Sequence, residues 1–364
     1  MIWIVRFVAA FALTSVMVTL LSSAAAQDWR PATDRPALEP EREKPLSRTR
    51  PHEFTQQTAT VPAVADGDDA LEAWILRPTA AAVRPGAVLI PGAGSGGRDT
   101  LLPEARALAA AGVATIVYDR RPGHHALHRD FDVMAADALA AAEVLRSTAG
   151  VDPTRVGLVG WSEGGWVIAQ AARRAPDRIA FAGLMSAPIV TPGDQVLWSA
   201  RQVMPAMPRW LEKTTATVIA GGQELLAWTA YDSEPGLAAL DVPVIAFWGC
   251  DDRIVPVNEA VGILVSSVSG PLSIHVLADA GHQMRIDSGY LGRTAAWIIS
   301  DPPPGAELRG VPASTDLGIG TLPAPSWSSH PLVLTTISAA LAAAAAAPHR
   351  RRRPAATADP SVHS

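Results

Sequence analysis

The sequence predicts an α/β domain: a mostly parallel central sheet with helices on both faces. Two features carry that expectation. Short apolar strand-like runs alternate with Ala-rich helical stretches from about residue 57 to 300, and the prolines crowd into the flanks on either side. Apolar residues make up 48% of the 364, which allows a sizeable core.

The elements follow in chain order. Residues 58–64 and 70–76 read as two strands joined by a hairpin turn at Asp66-Gly67. Strand 87–90, helix 101–111, strand 113–118 and helix 133–147 come next, then strand 156–159, helix 165–174 and strand 180–185. Residues 191–240 break the rhythm. They carry Trp198, Met204, Met207, Trp210 and Trp228 at helix-like spacing with no strand, and about fifty residues exceed one crossover, so a small helical cap is expected. Strands 244–248 and 273–277 follow, each with a helix behind it, at 258–265 and 290–299.

The flanks differ in character. Residues 1–26 have the layout of a secretory signal peptide: Arg6 in a short positive start, an apolar run over 7–21, and Ala24-Ala25-Ala26 as a small-residue cleavage site. An uncleaved anchor is the alternative reading, because residues 2–22 are just long enough to span a bilayer. Either way the domain is expected to be exported. Residues 27–56 read as a Pro-rich disordered linker, and 301–364 as a low-complexity tail. An apolar run at 331–347 ends at Arg350–Arg353, which suits a C-terminal membrane anchor and equally an Ala-rich tail.

Several functions are disfavoured early. A net charge of −5 gives no basic footprint for nucleic acid. A single cysteine, Cys250, excludes an intramolecular disulfide and any cysteine-rich zinc site.

The chemistry is concentrated in Gly160-Trp161-Ser162-Glu163-Gly164, a G-x-S-x-G motif. It follows an apolar strand and opens a helix, the context that exposes a serine oxygen on a sharp turn. A serine hydroxyl needs a base to take its proton. His282, in Ala280-Gly281-His282 after strand 273–277, stands where that base belongs, whereas His275 lies inside the strand and His52, His330, His349 and His363 lie in the flanks. The acid that would orient the histidine is expected in Gly249-Cys250-Asp251-Asp252-Arg253-Ile254-Val255-Pro256, where spacing to Val255-Pro256 favours Asp252 over Asp251. Backbone N–H groups of Glu163 and Ala93 are the candidate oxyanion donors, Ala93 lying in the glycine-rich loop 91–97. That loop lacks the Lys-Ser/Thr pair of a phosphate-binding loop. His124, His125 and His128 form a histidine-rich loop that reads as exposed polar residues, with substrate contact or metal binding as lesser alternatives.

These motifs, with Tyr118-Asp119-Arg120-Arg121 and the run from Tyr231 to Pro256, resemble the α/β-hydrolase superfamily. The resemblance is nearest its serine-aminopeptidase-like, prolyl-oligopeptidase-like and dienelactone-hydrolase-like branches. It implies an α/β-hydrolase fold and a serine hydrolase acting on a small acyl ester or a short peptide, with no cofactor. Pro91-Gly92 replaces the usual His-Gly, and Arg121-Pro122-Gly123-His124 departs from R-G-x-G, so the substrate does not transfer by analogy.

Overall fold

The computed structural model describes residues 8–9, 11–17, 40–41, 51–64, 69–79, 82–94, 96–121, 129–203, 226–284, 289–300, 307–309 and 331–346. The hairpin turn at Asp66-Gly67, the histidines at 124, 125 and 128, and Met204, Met207 and Trp210 of the expected cap lie outside them.

A nine-stranded sheet runs in the order β1-β2-β4-β3-β5-β6-β7-β8-β9. β1 (Phe54–Val61) and β2 (Leu71–Pro78) pair antiparallel at one edge, and β2 pairs antiparallel with β4 (Ala114–Tyr118). All later pairings are parallel, from β3 (Arg84–Ile90) and β5 (Val151–Trp161) through β6 (Ala182–Met185), β7 (Val244–Gly249) and β8 (Leu272–Leu277). Parallel strands buried on both faces should be apolar throughout rather than alternating, and β4, β6, β7 and β8 are buried at every position.

Two core clusters lie on the two faces. Helices α2 (Phe131–Arg146), α3 (Gly164–Arg174) and α6 (Val257–Ser267) cover one, around Trp166, Ile168 and Trp248. Helices α1 (Leu102–Ala110) and α7 (Tyr290–Ile299) cover the other, around Leu108, Phe247 and Tyr290. A buried ion pair ties the segment after β4 to α2. Arg121 Nη2 donates to Asp137 Oδ1 at 2.6 Å, and both side chains are almost wholly buried.

The chain reverses direction across the sheet at β3. It leaves β3 for β4 on one side and returns to β5 on the other. Such a switch point opens a crevice beyond the carboxyl ends of the two central strands, and both the glycine-rich loop and Ser162 sit there.

Three details depart from the sequence reading. β1 begins at Phe54, inside the stretch expected to be linker, because it borrows its hydrogen bonds from β2. Glu41, in the same stretch, bridges to Leu277 and accepts from both terminal nitrogens of Arg293 at 2.9 Å. Beyond the expected domain end, β9 (Glu307–Arg309) adds a parallel strand against β8. A three-residue strand is too short to show any periodicity.

Of the expected cap, the described parts are a helix α4 (Pro192–Val203), a 3-10 turn at Ala227–Ala230 and a short helix α5 (Glu234–Ala238). Thr191 and Asp194 cap α4 reciprocally: Asp194 N–H donates to the Thr191 hydroxyl, which donates to the Asp194 carboxylate. The run at 331–347 is helical as α8 (Pro331–Ala346), and Thr14 Oγ1 donates to Ser338 O at 3.0 Å. No described helix is long and apolar enough to cross a membrane.

Candidate active site

The turn after β5 is shaped by what a side chain could not do there. Ser162 is a non-glycine residue with φ of 50°, a left-handed conformation that costs energy and persists only where its surroundings impose it. The neighbouring glycines impose it. A Cβ at Gly160 would lie 2.5 Å from Gly164 O, and one at Gly164 would lie 2.6 Å from Ile90 O. Ser162 N–H donates to Met185 O, pinning the turn to the next strand. The serine oxygen is thereby held clear of the sheet at the head of α3.

The three residues singled out by sequence converge. His282 Nε2 is 3.1 Å from Ser162 Oγ, and His282 Nδ1 is 2.9 Å from Asp252 Oδ2. Asp252 is buried, and its other oxygen accepts from the N–H groups of Ile254 and Val255 at 2.8 and 2.9 Å. Those two bonds aim the carboxylate at the imidazole. Asp251 is exposed. His275, the strand histidine, serves the fold: it stacks on Phe247 at 4.6 Å and meets Glu41 at 3.0 Å.

The two expected oxyanion donors also border one cleft. Ala93, Ser162, Glu163 and His282 line a cavity of ≈ 540 Å³ beside α4 and α7. Glu163 caps α3, so its N–H belongs to the helix-end donors that have no partner within the helix.

Sequence reasoning used Glu163 only for its backbone. Its side chain is fully buried and gathers two cations: Arg120 Nη1 at 2.6 Å and Arg129 Nε at 2.7 Å. Arg120 also donates to Gly92 O at 2.6 Å. One guanidinium therefore ties the loop bearing Ala93 to the turn bearing Ser162. Arg129 lies over the Trp228 ring at 4.5 Å and lines the cleft. Spacing along the chain carries no sign of this cluster, because the sheet order is what brings residues 92, 120, 129 and 163 together. Among the described residues no group of His, Cys, Asp and Glu is placed to hold a metal ion.

The sheet order, the serine on its strained turn and the cleft above the switch point define a hydrolase of the α/β type. The chain belongs to the alpha/beta hydrolase family, whose model it matches over residues 87–297. No curated protein sequence matches it.

Solved structures share the fold. The 2,6-dihydroxy-pseudo-oxynicotine hydrolase is 15% identical with a TM-score of 0.51, over 72% of each chain. The alpha/beta hydrolase GrgF from Penicillium sp. sh18 is 17% identical, TM-score 0.52, over 67% of this chain and 98% of that one. An esterase from Pyrobaculum calidifontis is 18% identical, TM-score 0.51, over 81% of this chain and 92% of that one. At these identities the likeness extends to the fold alone.

Proposed function

We propose that the protein is an exported serine hydrolase that cleaves carboxylic esters through an acyl-enzyme. The observation that carries this reading is the unbroken hydrogen-bonded chain Asp252–His282–Ser162 opening into the cleft. Ser162 Oγ attacks the carbonyl carbon as His282 Nε2 takes its proton. Asp252 holds the imidazole in the tautomer that leaves Nε2 free to accept. The N–H groups of Ala93 and Glu163 receive the oxyanion, the leaving alcohol departs with the proton from His282, and water releases the acid by the same route. Thioesters fall within the same chemistry.

A serine peptidase of the aminopeptidase type is the second reading, favoured by the carboxyl of Glu104 in the cleft wall. Hydrolysis of a panel of acyl esters and aminoacyl amides by the purified protein separates the two. Esters are expected to be cleaved faster; a reversed order makes the peptidase the better reading.

Export is proposed on the layout of residues 1–26, and contact with a membrane on the apolar run before Arg350. Full-length protein expressed in a bacterium is expected outside the cytoplasm with Gln27 at its N-terminus. Ending the chain at residue 325 keeps β9 and should release any membrane-bound fraction. An intact N-terminus in the cytoplasm would refute export, and an unchanged distribution after truncation would refute the anchor.

A further inference from the structure

The two candidate oxyanion donors stand equally far along neighbouring strands. Ile90 of β3 is registered with Gly160 of β5, and Ala93 and Glu163 each lie three positions further on. A parallel ladder spaces the strands themselves but does not fix the turns past their ends. Arg120 spans that gap. It follows β4, and its guanidinium divides between the two turns: Nη1 donates to Glu163 Oε1 and Nη2 to Gly92 O, both at 2.6 Å. The Arg120 side chain is 11% exposed and that of Glu163 is 0% exposed, so water does little to weaken either contact.

Which carbonyl Arg120 meets matters more than the ion pair. Gly92 C=O and Ala93 N–H belong to one peptide unit. A trans peptide is planar, with its carbonyl and its N–H pointing opposite ways, so a clamp on Gly92 O sets the direction of Ala93 N–H. A hydrogen bond at the carbonyl end also polarises the unit and makes its N–H a stronger donor, the more so when the clamp is a full cation. That peptide lies against the nucleophile: a Cβ on Gly92 would be 3.1 Å from Ser162 Cβ. The other arm of the same guanidinium holds the side chain of Glu163, whose backbone N–H is the second donor. Arg129 meets Glu163 Oε2 at 2.7 Å, so that carboxylate is held through both of its oxygens.

We propose that Arg120 is a positioning residue for the oxyanion hole: it fixes the Gly92–Ala93 peptide and the Glu163 turn in one frame and strengthens Ala93 N–H as a donor. It acts through those two backbone groups rather than on the substrate. The proposal rests on the serine-hydrolase reading and gives its oxyanion hole a side-chain component. The benefit grows as charge develops on the carbonyl oxygen, so Arg120 lowers the barrier without tightening the binding of unreacted ester.

The test pairs p-nitrophenyl butyrate with trifluoromethyl propyl ketone, which carries the same acyl chain. Ser162 Oγ adds to the ketone carbon, the carbonyl electron pair passes to oxygen as an oxyanion, and His282 takes the proton, so the adduct's affinity reports on the oxyanion hole. Losing a whole oxyanion donor costs about 10²–10³ in rate; Arg120→Met misplaces donors without removing one, so kcat is expected to fall about 10–100-fold. KM should change little, and the Ki of the ketone should rise by the factor by which kcat/KM falls. Arg120→Lys keeps the cation but has one nitrogen for two acceptors, so its losses should lie between those of the native protein and Arg120→Met. Matched thermal melts show whether each variant is folded, and if Arg120→Met is not, the same comparison is read from Arg120→Lys. A folded variant with native kcat, or one whose kcat falls while the ketone binds as it does to the native protein, would overturn the proposal. Failure of a fluorophosphonate to label Ser162 in the native protein would instead remove the hydrolase reading on which it stands.

Discussion

Replacing Ser162 by alanine is expected to abolish fluorophosphonate labelling and to lower ester turnover by about 10⁶, the loss found when a well-studied serine hydrolase loses its nucleophile. The probe reports the chemistry directly: the serine oxygen bonds to phosphorus, fluoride leaves, and the base takes the proton. Two serines border the cleft, so the comparison can fail. Ser186 also lines this cavity, but its oxygen is buried and no histidine is hydrogen-bonded to it among the described residues. Ser162 has His282 Nε2 at 3.1 Å, and a hydroxyl without such a base is a poor nucleophile. Ser186→Ala should therefore label normally. If Ser162→Ala still labels and Ser186→Ala does not, the nucleophile has been misassigned.

The parts of this site that were legible in the sequence are those whose signal is local. Ser162 announces itself because its motif must be built from small residues between a strand and a helix, and Gly160 and Gly164 are crowded by backbone from both sides. The parallel sheet was legible because strands covered on two faces lose the alternation of a half-exposed sheet, as in β6 and β7. What remained hidden depends on sheet order. Arg120 leaves β4, Gly92 leaves β3 and Glu163 follows β5, three strands that become neighbours only once the chain reverses at β3. Glu104 reads as an ordinary acid in a first helical turn, and only the burial of its oxygen distinguishes it. Glu41 and β9 were concealed by composition. Each lies among prolines and charges that oppose regular structure, and each is ordered against β8 by contacts from far along the chain.

The two adjacent aspartates provide the sharpest test of the reading, because only their directions differ. Strand β7 ends at Gly249, and the turn beyond it is bonded to the loop that carries His282: Cys250 N–H donates to Leu277 O and Asp251 N–H to Ala280 O, both at 2.9 Å. Gly249 is required by that closeness rather than by an unusual backbone angle, since a Cβ there would run into Ala280 O. With the turn so fixed, Asp252 points inward to the imidazole and Asp251 outward to solvent. Val255-Pro256 closes the loop before α6, and the Val255 N–H is itself one of the two donors that hold the Asp252 carboxylate. Asp252→Asn would keep the shape but present an amide where the imidazole needs an acceptor, favouring the wrong tautomer. In a well-studied triad that substitution costs about 10⁴ in turnover. Here Asp252→Asn is expected to lower kcat by roughly 10³–10⁴, and Asp251→Asn by about tenfold or less. Matched thermal melts must accompany both, because the Asp252 carboxylate also holds two backbone N–H groups, and losing them could loosen the turn. If both melt like the native protein and Asp251→Asn is the inactive one, the acid belongs to Asp251 and the alignment of the carboxylate with His282 Nδ1 has no catalytic meaning.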